Sequence, residues 1–217
     1  KRDDIKKYIY LLMLGILQSL IGWWMVKSGL IENPRVNHIR LAIHFIAALI
    51  LASYILWIIL DINYNKIGIP TIHNLSRWFL FLLILQLLYG AFTAGLRAGH
   101  LMDTESSLIT IIGYFHPDGM INFDIINNPY NVQFIHRTLA WIIGYFAIYI
   151  WIKTRLTQLR KIGHLFLITI ILQISLGVST ILLNVQKEIA IMHQFVASIL
   201  VLVTISIVFL SDTTEKK

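Results

Sequence analysis

Six apolar stretches, near Tyr8–Met25, Leu41–Leu60, Trp78–Leu96, Val132–Ile152, Ile162–Leu183 and Ile189–Leu210, dominate this 217-residue chain. At about 1.5 Å per residue, each is long enough to cross a hydrocarbon core roughly 30 Å thick. Lipid offers the main chain no hydrogen-bond partners, so every stretch is expected to be helical. The expected fold class is all-α: a polytopic transmembrane helical bundle of about six helices. A water-soluble domain of this size could not hide a sequence that is 57% hydrophobic and only 13% charged. Trp23, Trp24, Trp57, Trp78 and Trp151 fall near the expected helix ends, where amphipathic rings prefer to sit.

The net charge of +7 invites a nucleic-acid reading, but its distribution answers that. With the first residues on the cytoplasmic side, 12 of the 18 Lys and Arg fall inside and 6 outside, as the positive-inside rule expects. Topology accounts for the charge, and no nucleic-acid partner is expected. The chain has no cysteine, which removes disulfides, thiolate metal sites, cysteine nucleophiles and cysteine-held iron–sulfur clusters. Its opening, Lys1-Arg2-Asp3-Asp4, reads as a loop rather than a signal peptide, and further sequence is expected upstream.

Most connections are short; Arg97–Asn131 is the exception, with Gly99, Gly113, Pro117, Gly119, Pro129 and several Asn. Long irregular segments in compact proteins are often functional. Within it, Leu108–Ile112 is a candidate to lie on the membrane surface or cover a pocket.

Three times the chain runs through a helix bearing Gln-x-x-x-Gly and then a helix with an early histidine. Gln18 and Gly22 precede His44, Gln86 and Gly90 precede His136, and Gln173 and Gly177 precede His193. Repeated hairpins of this kind suggest a bundle built by duplication. Topology puts the three histidines at one depth, just below the outer face. A histidine inside a membrane span needs a partner. Neutral imidazole is an axial ligand to haem iron, and two facing helices can clamp a porphyrin between them. Arg137 follows His136, and Arg40 lies one turn before His44; both suit haem propionates. The alternative is that these histidines hydrogen-bond to neighbouring helices as packing residues, as the Gln and Gly residues also could.

Other polar groups read more blandly. His73 and His164 are expected at the inner interface, and His38, His100 and His116 in solvated outer loops. Asp103, Glu105, Asp118 and Asp124 are expected on a solvated loop surface. No phosphate-binding glycine loop, serine triad or zinc helix motif is present.

With these residues in place, the chain resembles the heme A synthase family of bacterial and mitochondrial inner membranes. The resemblance is carried by Gly22-Trp23-Trp24-Met25-Val26-Lys27-Ser28-Gly29-Leu30, by His38-x-Arg40-Leu41-Ala42-x-His44, and by the run Gly90-Ala91-Phe92-Thr93-Ala94-Gly95-Leu96-Arg97-Ala98-Gly99. Gln133-Phe134-Ile135-His136-Arg137, Gln173-x-x-x-Gly177 and Met192-His193-Gln194 complete the series, which covers nearly the whole chain. The lack of cysteine resembles the proteobacterial and mitochondrial type.

The resemblance implies eight helices in two pseudo-symmetric halves, of which this chain would hold the third through eighth. In that frame 1–217 is one membrane domain, 8–60 belongs to the N-terminal half, and 78–210 is the C-terminal four-helix haem-binding half. His136 and His193 would ligate haem b, and His44 would be one histidine of the site for the substrate, haem O. The implied reaction oxidises a haem O methyl to the formyl of haem A. An electron-transfer partner is implied too, with haem O synthase as a candidate partner. The preceding hairpin would supply a second histidine opposite His44 and a glutamate needed for activity. One departure stands out: Asp103-Thr104-Glu105-Ser106-Ser107-Leu108 replaces the family's Asn-x-Phe-Pro-x-Met-like run. A haem b-binding electron-transfer or haem-handling protein without synthase activity is the second reading. A helical bundle whose histidines merely pack is the third.

Overall fold

The computed structural model describes residues 2–29, 35–101 and 124–214. The Leu108–Ile112 segment, Gly113, Pro117 and Gly119, and Asp103, Glu105, His116 and Asp118, lie outside these residues. Among the described residues the chain is all-helical, with α1 Arg2–Val26, α2 His38–Asn63, α3 Pro70–Gly95, α4 Pro129–Thr154, α5 Arg160–Leu182 and α6 Lys187–Ser211. A short 3₁₀ turn covers Ala98–Leu101. All six helices are long and apolar enough to cross a membrane, which makes this a multi-pass membrane protein.

Helix starts follow from local chemistry. Asn37 caps α2 by accepting the amides of Ile39 and Arg40, and Asn128 caps α4 by accepting those of Tyr130 and Asn131. Pro70 and Pro129 occupy first-turn positions, where a missing N–H costs nothing. The largest difference from the sequence reading is at α3, which begins at Pro70 rather than near Trp78. Its first turns carry His73, Asn74, Ser76 and Arg77. That polarity masks a helical segment from any reading based on hydropathy. Asn184, at φ 51°, ends α5: its N–H reaches the Ile181 carbonyl, and the Val185 N–H reaches the Thr180 carbonyl.

Helices α3, α4, α5 and α6 pack in a closed ring, each against the next and α6 back against α3. Helix α2 lies outside the ring in the groove between α3 and α6, and α1 packs chiefly on α2. Burial follows this order: 56% of the most apolar stretch of α6 is buried against 0% for that of α1, so α6 is the central post and α1 is the helix least covered by the rest of the chain. Phe79, Phe146 and Phe166 fill the ring's interior, with Phe79 and Phe166 edge-to-face at 4.9 Å. The buried apolar cluster runs from Ile143 on α4, Ala197 on α6 and Ile170 on α5 towards the chain-end face, and on α3 it reaches the histidine level at Leu87.

The face holding the first turns of α1 and the end of α6 is tied by ion pairs. Lys7 reaches Asp61 at 2.7 Å, and Lys66 reaches Asp212 at 2.7 Å. The main-chain amides of Ile67 and Ile69 donate to the Leu210 and Ser211 carbonyls, at 2.7 and 2.9 Å. The α2–α3 connection thereby satisfies carbonyls at the end of α6 that have no partner within the helix.

Candidate functional site

The three repeated histidines stand seven, eight and seven residues after the residues that open their helices, Asn37, Asn128 and Gln186. That spacing puts each roughly 10–12 Å into its helix. All three enter from the same side, so His44, His136 and His193 share one level opposite the chain-end face.

Each ring rests on the glycine of the preceding helix. A Cβ added to Gly22 would lie 2.9 Å from His44 Cε1, and one added to Gly90 or Gly177 would lie 3.0 Å from Cε1 of His136 or His193. No other residue leaves room for an imidazole against the helix surface at these distances. The sequence reading weighed these glycines as general helix-packing residues; the structure gives them a defined task, seating one ring each.

The glutamine one turn before each glycine supplies the second contact. His136 Nδ1 lies 3.2 Å from the Gln86 carbonyl oxygen, and His193 Nδ1 lies 3.2 Å from the Gln173 carbonyl oxygen. A carbonyl can only accept, so both histidines donate from Nδ1. The neutral ring then keeps its lone pair on Nε2, the arrangement metal-ligating histidines commonly use. The Gln173 side-chain amide also lies 3.3 Å from His193 Nε2. His44 differs: its Nδ1 faces the Gln18 side-chain nitrogen at 3.2 Å, and that nitrogen also donates to the His44 carbonyl at 3.2 Å. The ring is seated like its sisters but lacks their main-chain lock.

Helices α4 and α6 are diagonal in the ring, separated by α3 and α5. No group of three or more His, Asp or Glu side chains suited to holding an ion occurs among the described residues. A planar macrocycle needs only two axial nitrogens, one from each side. The donor set fits it: two imidazoles on diagonal helices, each with Nε2 as the accepting nitrogen, that of His193 held by the Gln173 side-chain amide.

The arginines sit beside this level. Arg40 donates from Nη1 to the Trp24 carbonyl at 3.0 Å and stacks over the Trp24 ring at 4.5 Å, which fixes it to the end of α1. Arg137 follows His136 on α4, its Nε buried.

The sequence reading placed His38 in a solvated loop, and the structure corrects this. It is the first residue of α2, its ring is edge-on to Phe92 at 5.6 Å, and its Nε2 is buried with no hydrogen-bond partner among the described residues. The signal was Asn37, a strong helix cap immediately before it. His73, in the first turn of α3 on the chain-end side, has its Nδ1 3.0 Å from the Val208 carbonyl of α6. His100 is exposed in the 3₁₀ turn, as a solvated role requires. Asp124 folds back on its own loop, where hydrogen bonds from the Asn127 main chain and side chain hold its carboxyl below the ordinary range.

Comparison with known proteins places this arrangement. Residues 1–205 match the family model described as cytochrome oxidase assembly protein. A heme A synthase of Flavobacterium johnsoniae is 35% identical over 207 residues, covering 90% of this chain and 60% of the relative. A heme A synthase of Pelagibacter ubique is 38% identical over 205 residues, covering 90% of this chain and 59% of the relative. One from Rickettsia bellii is 35% identical over 218 residues, covering 94% and 64%. The chain thus spans about 60% of the length of the curated relatives it matches. No solved structure matches it. A family match running through all three glycine–histidine seats, on a six-span helical bundle, shows that the chain belongs to the cytochrome oxidase assembly protein family of heme A synthases.

Proposed function

We propose that this chain is the haem-binding part of a heme A synthase that oxidises a haem O methyl group to the formyl of haem A. One observation carries the reading: His136 and His193, on diagonal helices, each donate Nδ1–H to a glutamine carbonyl, which leaves Nε2 as the nitrogen that would bind iron once the Gln173 side-chain amide turns away from His193. These two residues would hold haem b. When bound, that group supplies one-electron redox chemistry. The carbonyls of Gln86 and Gln173 fix the two rings, and Gly90 and Gly177 let them lie close to the neighbouring helix. Arg137 and Arg40 lie at the level where propionates would emerge and carry the charge to receive them. His44, seated on Gly22, would orient haem O, with apolar helix faces around it for the ring and tail.

The basic residues support an orientation with both chain ends on the cytoplasmic or matrix side of a bacterial or mitochondrial inner membrane. An electron-transfer partner completes the reaction, and haem O synthase is the candidate partner on the substrate side. The second reading is a haem b-binding electron-transfer or haem-handling protein without synthase activity, in which His44, seated on Gly22 like its two counterparts, would bind haem without its being transformed.

The test has two stages. Purified protein should show a six-coordinate low-spin haem spectrum that is lost in His136→Ala and His193→Ala. An unchanged spectrum in both variants refutes the ligand assignment. Expression in a host without its own synthase should then yield haem A from haem O. Normal haem b content with no haem A selects the second reading.

A further inference from the structure

The turn joining α4 to α5, on the chain-end face, is crowded with cations: Lys153, Arg155, Arg160 and Lys161. No Asp or Glu occurs between Asp124 and Glu188 to balance them. On the same face, Asp61 and Asp212 are already held by Lys7 and Lys66, each at 2.7 Å. Arg155, Thr157, Gln158, Arg160 and Lys161, together with Leu156, line an open concavity of ≈ 400 Å³.

The concavity is built rather than loose. Thr157 Oγ1 donates to the Thr154 carbonyl and accepts the Leu159 N–H, which fixes the turn. The Arg155 guanidinium lies 5.3 Å from the Trp151 ring centre, which limits where it can swing. Leu156 is 85% exposed within this charged rim. An apolar side chain in that position is costly in water and favourable among acyl chains. Helix α5 also starts without a side-chain cap or an acidic residue in its first turn, so its positive end adds to the field.

Anionic phosphate oxygens would satisfy the cations, and a neighbouring acyl chain would cover Leu156. A free phosphate ion would meet only the first requirement. We propose that the α4–α5 turn is a binding site for the phosphodiester headgroup of an anionic phospholipid, with Arg155, Arg160 and Lys161 as its charge partners and Leu156 set among the acyl chains.

Native mass spectrometry tests this on the whole chain, released from micelles containing equal amounts of phosphatidylglycerol and phosphatidylcholine. The protein should retain phosphatidylglycerol preferentially. Combined Arg155→Gln, Arg160→Gln and Lys161→Gln should lower that retention by roughly tenfold or more, since juxtamembrane cations act additively on anionic lipid. Neutralising Lys27, Arg35 and Lys187 on the opposite face removes as many charges and should leave retention unchanged. Leu156→Ser should weaken lipid retention with the charges intact. Circular dichroism establishes that each variant is folded. Equal retention of the two lipids, undiminished retention in the triple variant, or displacement of the lipid by inorganic phosphate at matched concentration overturns the proposal.

Discussion

His193 lies so close to Gly177 that a single added methyl carbon would stand 3.0 Å from the ring's Cε1. The same contact recurs between His136 and Gly90 at 3.0 Å, and between His44 and Gly22 at 2.9 Å. A side chain at any of these glycines must push the ring away from the glutamine one turn earlier. The glycine therefore sets both the depth of the imidazole and its hydrogen bond.

Gly177→Ala should shift the His193 ring by a few tenths of an ångström, and Gly177→Val should dislodge it. Overpacking of this kind typically costs about 1–3 kcal/mol. The expected outcome is a stepwise fall in haem retained by purified protein from wild type to Ala to Val, with helix content unchanged. Gly90 substitutions should behave alike through His136. Full haem retention in Gly177→Val would contradict the seat.

The Lys66–Asp212 pair carries a pH signature. Burial pushes the Asp212 carboxyl up, but hydrogen bonds from Lys66 and Thr214 outweigh it and hold the group well below its ordinary value of 3.8. A carboxyl depressed in the folded state stabilises fully above the ordinary value, and that contribution drains away as pH falls below it. Asp212→Asn should therefore lower the unfolding temperature at neutral pH, by an amount corresponding to about 1 kcal/mol for a partly exposed pair. Acidification below pH 3.8 should narrow the gap between variant and wild type. Thermal unfolding in detergent across that range measures it, and a gap that widens on acidification would contradict the assignment.

On the chain-end side, Thr154 occupies the space beside Gly163 where a side chain would begin, with Oγ1 the nearest atom. Thr154 is fully buried, and its hydroxyl donates to the Trp151 carbonyl at 3.0 Å, so it has nowhere to retreat. Gly163→Ala should separate α4 from α5 at this end and cost about 1–3 kcal/mol. Adding Thr154→Ala should recover part of the loss, since it removes the nearest atom. Unfolding temperatures of the single and double variants supply the comparison, and strict additivity of the two losses would show that the contact is not shared.

Much of this molecule was legible before its structure. Apolar runs located all six spans because a crossing segment must satisfy its own main chain, a demand that local sequence meets alone. The spacing of His44, His136 and His193 within those runs fixed their common depth for the same reason: rise per residue is constant. The start of α3 was missed because His73, Asn74, Ser76 and Arg77 dilute its first turns, although they are as helical as the rest. His38 was misplaced because one residue separates loop from helix there.

What the sequence could not settle is which side of each helix faces which neighbour. Helices in lipid are apolar around most of their circumference, so periodicity does not mark an inner face. Only the packed structure showed that α4 and α6 stand diagonally across a ring, that each glycine seats a particular imidazole, and that the α2–α3 connection closes the end of α6. Length and depth are properties of one helix taken alone, whereas facing and contact exist only between helices.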